Sequence, residues 1–306
     1  MSSSIVLFPD PHATNAVDDY VAQARRAHEL GVRQVWFSQQ FTHDAITLAG
    51  LIGAAVPGLG VGTSAVPFNP RHPLTLASQA QTAQGAAHGA FSLGLGLGAN
   101  QIEHTTFGIA PVNTIARLRE YLTILQAVFH TGDVDFHGEH YTAAPTFPTT
   151  LPGGAPVPVY VAAMGPKALR VTGELADGTL PYLAGPRTIG EFIVPTITKA
   201  AAEAGRPDPR IVAFVPVQLV DDAENVDTAR AAAAEQLAFY TAIPSYRNVL
   251  DREGVDNPAD LAAVGDAETV RRTVARYRDA GATDVVFSPL DRQRPDERLW
   301  ELAGSR

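Results

Sequence analysis

The chain has 306 residues, of which 45% are apolar and 18% are charged, a composition typical of a globular protein. Its net charge of −9, without any block of Lys or Arg, argues against a nucleic-acid backbone or an anionic membrane as a partner. The absence of cysteine excludes disulfides, thiolate nucleophiles and cysteine-ligated metal sites. Since the N-terminus has no signal-peptide pattern and no apolar run reaches about 18 residues, we expect a cytoplasmic protein.

Strand and helix patterns alternate along the chain. Short runs, mostly apolar and in the case of residues 157–161 rich in β-branched residues, predict buried parallel strands, at residues 5–8, 32–38, 59–66, 91–97, 157–161, 179–183, 211–220 and 284–288. Apolar residues at three- and four-residue spacing predict helices, at residues 15–30, 45–56, 73–88, 115–129, 166–175, 188–204, 226–242 and 268–280. A loop is expected between the fourth strand and the helix that follows it.

This alternation predicts a single α/β domain over residues 1–306, a (β/α)8 or TIM barrel, better than it predicts an open sheet. An internal echo supports a repeated unit, because residues 26–38 and 276–288 both read as helix, small turn, apolar strand and a final Phe-Ser. Two segments break the rhythm. Residues 131–156 predict a short polar hairpin with a Pro-rich connection, and residues 243–262 predict an irregular insertion.

The turn after the fifth strand is a candidate anion-binding site. The strand ends in Ala162 and Ala163, and Gly165-Pro166 then opens a helix, since Pro suits the first helical turn. Free N–H groups point outward at such an N-terminus, and the helix dipole favours a negative group there. An ordinary turn between a strand and a helix explains the local pattern equally well.

Two other motifs are weaker. The run Gly94–Ala99 formally fits a dinucleotide fingerprint, but a helix should begin inside that motif, and alternating glycines fit the close approach of a flat ligand better. His137 and His140 on the predicted hairpin, with His12 after the first strand, could suggest a metal hydrolase. The other strand ends carry poor metal ligands, so no metal site is expected. Hydrolase elbows and phosphate-binding P-loops are absent from the sequence.

Small or neutral hydrogen-bonding residues gather at the predicted strand ends. A broad planar ligand with amide-like edges would suit such a wall, with Phe8 and Phe37 standing near it and a phosphate held by the turn at Met164–Lys167. Small residues that merely fill the taper of the barrel would give the same pattern. The residues concerned are Ser38, Gln39, Gln40, Thr63, Ser64, Ala65, Gly96 and Gly98.

Five stretches of the chain together match one known family, at residues 24–41, 62–82, 89–98, 157–183 and 279–290. Over nearly its whole length the sequence resembles the luciferase-like monooxygenase superfamily, the bacterial-luciferase-type barrels. Within that superfamily it is most similar to actinobacterial oxidoreductases that use coenzyme F420, a 5-deazaflavin.

The resemblance implies a cofactor site. Ser38, Gln39 and Gln40 would meet the deazaflavin ring, and a non-proline cis peptide at Ser64-Ala65 would form a bulge behind it. The cofactor's phosphate would be held by backbone N–H groups of one turn, at Ala163, Met164, Gly165, Pro166 and Lys167. The wall residues Phe8, Thr63, Gly96 and Gly98 complete the expected set of cofactor contacts.

The sequence departs from the F420-dependent sugar-phosphate dehydrogenases, which carry Asp-His at the second strand end and a Glu after the fourth. Those positions read Gln39-Gln40 and, approximately, Ala99. Without the His and Glu, the general base for oxidising an alcohol is missing, which favours a reductase whose reduced cofactor gives hydride to an activated acceptor. The proton would come from solvent or from one of four side chains, His72, Glu103, His104 and Tyr182.

The resulting hypothesis is an F420-dependent oxidoreductase that acts on a small organic substrate. The alternative is an FMN-dependent two-component monooxygenase, which would receive reduced FMN from a separate flavin reductase. A second alternative is a non-catalytic barrel that binds a ligand without turnover. Because members of the family commonly dimerise, the resemblance also implies a homodimer.

Overall fold

The structure is a computed structural model that describes residues 3–98 and 100–305. Its strands are β1 Ser4–Val6, β2 Gln34–Phe37, β3 Gly60–Thr63, β4 Val66–Pro67, β5 Phe91–Gly96, β6 Phe136–His137, β7 Thr142–Ala143, β8 Val159–Val161, β9 Gly178–Thr179, β10 Arg210–Leu219, β11 Ala263–Gly265 and β12 Asp284–Pro289. Eight of them pair in parallel in the cyclic order β1-β2-β3-β5-β8-β9-β10-β12, and β12 returns to β1. The described residues therefore confirm the predicted (β/α)8 barrel.

The remaining strands are small additions to this barrel. β4 takes over from β3 as the partner of β5, and β11 pairs with the last residues of β10. β6 and β7 form the polar hairpin predicted within residues 131–156.

Helices separate the strands and cover the outside of the barrel. They are α1 Ala16–Glu29, α2 Ala45–Ala55, α3 Pro73–Ala86, α4 Asn100–Phe107, α5 Thr114–Gln126, α6 Pro166–Leu175, α7 Pro186–Thr188, α8 Val194–Glu203, α9 Ala223–Leu237, α10 Pro244–Glu253, α11 Ala267–Asp279 and α12 Glu297–Gly304. Irregular helical turns extend or join some of them, at Ala127–Thr131, Ile189–Ile193, Ala238–Ala242 and Pro258–Leu261. Across the described ranges, no helix is both long enough and apolar enough to cross a membrane.

Local chemistry explains where these helices begin and end. Asn15 and Asp266 cap α1 and α11 by accepting backbone N–H groups of the first turn. Each of these two helices ends two residues before a glycine in the left-handed region, Gly31 with φ +95° and Gly281 with φ +99°. The internal echo is therefore a repeated unit of helix, glycine turn and strand.

Large side chains fill the interior of the barrel. Trp36 packs edge-on against Phe214 and Tyr160, with ring centroids 5.4 Å and 6.4 Å apart, and all three are buried. Two glycines on the neighbouring strands make room for this packing. A Cβ at Gly62 would stand 2.5 Å from the Trp36 ring, and a Cβ at Gly94 would stand 2.5 Å from Leu180. Gly94 is therefore explained by packing in the core, and the prediction that a ligand explains this glycine is wrong.

Two expectations about connections need correction. The loop predicted after the fourth strand contains α4, a polar helix without the apolar periodicity that reveals helices in a sequence. The segment predicted as irregular, residues 243–262, contains α10, which starts at a proline and ends at Gly254 with φ +82°. Only Val249 and Leu250 of α10 are buried, so its amphipathic pattern is short.

We predict that Gly94→Ala destabilises the fold, because the new methyl group would overlap the carbonyl oxygen of Thr63 within a rigid barrel wall. The expected loss in the free energy of unfolding is about 1–3 kcal/mol, measured by urea denaturation. Gly96→Ala is the matched control, since the nearest atom to its Cβ, in Ala65, is 3.7 Å away. Similar losses in the two variants would contradict this explanation.

Candidate active site

The carboxyl ends of the barrel strands open onto one side of the molecule, which we call the mouth. In (β/α)8 enzymes the loops at this end carry the active site, because they can vary while the barrel below them stays rigid. The segments that follow the strand ends are residues 7–15, 38–44, 64–72, 97–113, 162–165, 180–185, 220–262 and 290–296. The side chains of these segments decide what the mouth can bind.

The barrel wall is interrupted where β3 gives way to β4. Regular pairing with β5 stops at Gly62 and resumes at Val66. The Thr63 hydroxyl bridges this gap, since it accepts the N–H of Gly94 at 2.8 Å and donates to the carbonyl of Gly94 at 3.0 Å. Thr63 is fully buried and its hydroxyl is engaged on both sides, so it has no surface to offer a ligand.

Between these two paired segments, the chain leaves the regular ladder and bulges toward the mouth. The expected cis peptide bond joins Ser64 and Ala65. Ser38, at the end of β2, donates its hydroxyl to the carbonyl oxygen of Ser64 at 3.0 Å and so ties the two strand ends together. The Ser64 hydroxyl itself is buried and has no hydrogen-bond partner among the described residues. A buried hydroxyl without a partner costs free energy unless a ligand completes it, so this one marks a place where a polar ligand edge would fit.

Gln39 is committed to its own loop. Its amide nitrogen donates to the carbonyl oxygens of Gln40 at 2.8 Å and His43 at 3.0 Å. Its amide oxygen accepts the N–H of Ala45 and a guanidinium N–H of Arg71, both at 3.2 Å. The predicted contact between Gln39 and a ligand would therefore require this loop to rearrange, whereas the exposed Gln40 is free to move.

An ion pair braces the same loop. Asp44 caps α2 by accepting the N–H and hydroxyl of Thr47, at 2.8 Å and 2.9 Å, and it also pairs with Arg71. Burial would raise the pKa of Asp44, but the hydrogen bonds from Thr47 and the charge of Arg71 outweigh burial, so the pKa lies below its usual value. Asp44 is thus held as a carboxylate and fixes the loop after β2.

A buried polar pair lies beside the end of β5. Asn69 donates its amide N–H to the carboxyl group of Glu103, and both side chains are buried. The other carboxyl oxygen packs where a Cβ of Gly98 would stand, and Gly98 has a left-handed φ of +70°. Glu103 therefore shapes the loop after β5, while a Cβ at Gly96 would make only ordinary van der Waals contacts. The position that matched the family's Glu, Ala99, lies outside the described residues.

The turn between β8 and α6 presents unpaired donors, as its sequence predicted. Thr179 lies fully buried beneath it and donates its hydroxyl to the carbonyl of Ala163 at 2.9 Å. No side chain caps α6, and Pro166 occupies its first turn. Of the described residues, none accepts a hydrogen bond from the backbone N–H groups of Met164, Gly165, Lys167 and Ala168. Together with the positive end of the helix dipole, these donors favour an anion.

Three tyrosines lie together at the mouth, near the end of β9. Tyr182 follows β9, and its ring lies 5.3 Å from Tyr240 and 6.4 Å from Tyr246, which come from the segment after α9 and from α10. Burial, and then the neighbouring Tyr240, raise the pKa of the Tyr182 phenol, while Arg292 and the hydroxyl of Ser288 act in the opposite direction. Tyr182 is therefore a neutral hydroxyl donor at physiological pH.

Exposed aromatic rings complete the rim. Phe41, after β2, is 84% exposed and packs against Phe107 of α4, with ring centroids 6.1 Å apart. Phe8, after β1, lies under the guanidinium of Arg292 at 4.7 Å. The predicted aromatic residue Phe8 is therefore at the mouth, and Phe37 is instead buried in the wall against Tyr20.

The predicted histidine proton donors lie away from this centre. His72 accepts the N–H of Leu74 as the cap of α3, and its other ring nitrogen bonds the carbonyl of Thr142 at 3.1 Å. Both of its nitrogens thus hold the fold together. His104 is exposed on α4.

The histidines considered as metal ligands do not converge. His137 pairs with Asp135 on the hairpin at 3.0 Å, and His12 is exposed after β1. His140 lies at the hairpin turn, with its backbone N–H bonded to Glu120. In the described ranges, no group of three or more His, Asp or Glu side chains is placed to hold a metal ion.

Sequence reasoning missed several residues of the site. Asn69, Thr179, Tyr240, Tyr246 and Arg292 are scattered over the chain, and only the closed barrel brings them to one end. Asn69 and Thr179 stand inside stretches that carried the family resemblance, which was the signal available for them. The two tyrosines lie in the segment predicted as irregular or next to it, so no pattern pointed to them.

A closed parallel barrel, with unpaired backbone donors and neutral polar groups at its mouth, defines the class of (β/α)8 enzymes that hold a ligand at the strand ends. Within that class, the chain belongs to the luciferase-like monooxygenase family, whose model matches residues 1–284. The predicted family is therefore confirmed.

Individual relatives agree with this assignment. An F420-dependent glucose-6-phosphate dehydrogenase of Rhodococcus hoagii is 27% identical over 88% of this chain and 87% of its own length. The F420-dependent tetrahydromethanopterin reductase of Methanopyrus kandleri has a similar structure, with a TM-score of 0.82, 21% identity and coverage of 99% of this chain and 97% of that one. The FMN complex of the oxygenating constituent of 3,6-diketocamphane monooxygenase, from Pseudomonas putida, gives a TM-score of 0.77 at 16% identity, with coverage of 99% and 96%.

We predict that Thr63→Val destabilises the protein by about 1–3 kcal/mol, because the N–H and carbonyl of Gly94 would both lose their partner in a dry wall. Urea denaturation measures the loss. Thr172→Val is the matched control, since Thr172 is equally buried but its hydroxyl only adds a bond to a carbonyl of its own helix, that of Ala168. A control variant that loses as much stability as Thr63→Val would contradict the bridging role.

Proposed function

We propose that the protein transfers hydride between coenzyme F420 and a small organic substrate, and that it acts as a reductase. The observation that carries this proposal is the row of unpaired N–H groups from Met164 to Ala168, which would hold the cofactor's phosphate. The negatively charged tail of such a cofactor would accept hydrogen bonds from this turn. A polar edge of its flat ring would bond the unpaired hydroxyl of Ser64. The relative from Rhodococcus hoagii is an F420-dependent dehydrogenase, which supports the same cofactor.

The residues of the chain would divide the work of holding it. Ala163, Gly165, Pro166 and Lys167 form the turn at the phosphate end, and Gly165 leaves open space there, since nothing lies within 4 Å of its Cβ position. At the ring end, the partners would be Ser38, Gln40, Ser64, Ala65, Gly96, Gly98 and Phe8. Gln39 would act indirectly, by shaping the loop that carries Gln40.

When bound, F420 supplies a two-electron hydride carrier that needs no metal. The chain would position the cofactor and the substrate relative to each other. It would also keep water from reaching them from below, because the barrel under the mouth is packed with Trp36, Phe214 and Tyr160. The second strand end carries Gln39 and Gln40 in place of an acid-base pair, so these two positions offer no base to oxidise an alcohol. This favours reduction of an acceptor that is already activated.

The alternative is an FMN-dependent monooxygenase supplied by a separate flavin reductase. The structural likeness to an FMN-bound monooxygenase favours it, since an FMN phosphate would suit the same turn. A non-catalytic barrel is the second alternative.

We further propose that residues 1–306 act as one domain, and that the protein works in the cytoplasm.

We also propose a homodimer that forms through α2 and α3. A groove of about 410 Å³ separates these helices on the outer surface, and its lining is mainly apolar. Leu51, half exposed, stands in it beside Gly50 and Ala54 of α2 and Ala83 and Ala86 of α3. A second copy of the same helix pair would cover this surface with a matching one, as a two-fold interface requires.

The cofactor proposal predicts that F420 raises the melting temperature and FMN does not. At 100 times its dissociation constant, a ligand should add about 2.7 kcal/mol to the free energy of unfolding. Lys167→Glu should weaken F420 binding roughly tenfold, because it places a negative charge at the phosphate turn. Lys199→Glu, in the exposed part of α8, is the control. A shift with FMN alone would favour the monooxygenase, and no shift with either would favour the non-catalytic barrel.

The dimer proposal predicts that Leu51→Glu produces monomers, because it buries a charge in an apolar interface. Size-exclusion chromatography with light scattering gives the mass of the assembly. Val17→Glu, a similar change at the exposed start of α1, should leave the mass unchanged. A wild-type protein that is monomeric at all concentrations would refute the interface.

A further inference from the structure

Two aromatic walls stand on opposite sides of the mouth. Phe41 and Phe107 form the first wall, on the segments that follow β2 and β5. Tyr182, Tyr240 and Tyr246 form the second, and the rings of the last two lie 4.7 Å apart. In the cyclic order of strands, β2 and β9 are four steps apart in both directions, so the walls face each other across the barrel.

The first wall exposes apolar surface to water. Phe41 is 84% exposed and Phe107 is 46% exposed, although each belongs to a segment that the barrel holds at the mouth. Exposing these rings to water costs free energy. A flat ligand that stacks on them would remove that contact with water. The rings therefore fit a planar, uncharged compound better than a sugar or a charged acid.

The floor between the walls carries hydroxyl groups and one cation. The Tyr182 phenol and the buried Ser288 hydroxyl lie together at the ends of β9 and β12. Arg292, above the Phe8 ring at 4.7 Å, is close enough to act on Tyr182. Such a floor suits a carbonyl oxygen that is neutral when it binds and gains negative charge during reaction, because hydroxyl donors and a cation stabilise that charge.

We propose that the mouth binds a flat, uncharged α,β-unsaturated carbonyl compound or quinone between the two aromatic walls, and that Tyr182 donates the proton of its reduction. This inference rests on the proposed function, because the hydride comes from reduced F420. It adds the class of the acceptor and the residue that protonates it.

The atoms and electrons of the step balance as follows for an enone. A hydride, with its two electrons, is added to the carbon β to the carbonyl, and the π pair of the carbon–carbon bond shifts to give an enolate. The O–H bond of Tyr182 breaks, and its proton is transferred to the α-carbon of the enolate. The tyrosinate that remains is stabilised by Arg292 and regains a proton from water through the neighbouring Tyr240. The net change is one hydride and one proton added to the substrate.

The other ionisable side chains near the mouth are less suited to this role. Glu103 is buried against Asn69 and Gly98, on the side of the loop after β5. His72 uses both ring nitrogens in the fold. Tyr182, by contrast, packs against the buried cluster of the barrel interior, as Phe8 does, and a substrate placed between the walls would reach it there. Its raised pKa keeps the phenol protonated, so the proton is present when the substrate binds.

The test uses the full chain with reduced F420 and two acceptors, cyclohex-2-en-1-one and menadione, with cyclohexanone as the saturated control. We expect both unsaturated acceptors to oxidise reduced F420 and cyclohexanone not to. Tyr182→Phe should lower kcat by about 10²–10⁴-fold while the dissociation constant of F420 and the KM stay within a few-fold. The solvent deuterium isotope effect on kcat, present in the wild type, should change in this variant.

Control variants separate this role from a structural one. Tyr277→Phe removes a buried phenol in α11 that has no hydrogen-bond partner among the described residues, so its kcat and isotope effect should match the wild type. Phe41→Ala should raise the KM for menadione, whereas Phe147→Ala, at another exposed ring, should not.

Three results would overturn the inference, and they can be told apart. A wild-type protein that binds F420 but reduces neither unsaturated acceptor would refute the substrate class and leave the proposed function standing. Full kcat and an unchanged isotope effect in Tyr182→Phe would refute the proton donor alone. Failure of the wild type to bind F420 at all would remove the proposed function, and the inference with it.

Discussion

The mouth of this barrel depends on one side-chain hydroxyl. Thr63 stands where backbone pairing between β3 and β5 stops, and it replaces the missing bonds by accepting from and donating to the backbone of Gly94. Because the wall stays bonded at that level, the chain above it is free to leave the regular ladder at Ser64 and Ala65. The hydroxyl of Ser38 then joins this bulge to the end of β2. A rigid but irregular edge results, and irregular edges are where a (β/α)8 barrel presents its polar groups.

The polar groups of the mouth divide into those that serve the fold and those that remain free. The sequence predicted Gln39 and Thr63 as ligand contacts and His72 as a candidate proton donor, yet their hydrogen bonds are taken up by a loop, the barrel wall and a helix cap. The free groups are mostly backbone N–H donors at the start of α6 and the hydroxyl of Ser64. This division matters for function, because a group already paired in the protein gains little by pairing with a ligand.

The two segments that depart most from the alternation of strand and helix supply aromatic side chains at the mouth, where we propose that the substrate binds. α4 brings Phe107 toward Phe41, and α10 with the turn before it brings Tyr246 and Tyr240 toward Tyr182. Neither segment adds much to the central core, and both follow the carboxyl ends of strands, where (β/α)8 enzymes carry their active sites. Loops of this kind can change without disturbing the strands below, which is how one fold comes to accept different substrates.

The sequence alone determined the barrel, the family, the Gly-Pro turn that opens α6 and the bulge at Ser64-Ala65. Each of these is written in contiguous residues, since strand and helix periodicity, a Gly-Pro helix start and family motifs are all local patterns. Only the tertiary structure decided which polar side chains are free, that Gly94 makes room for Leu180, and that Tyr240 stands beside Tyr182. Those outcomes depend on which residues distant in the chain become neighbours when the barrel closes, and a linear pattern carries no record of which partners will use up a hydrogen bond or fill a space.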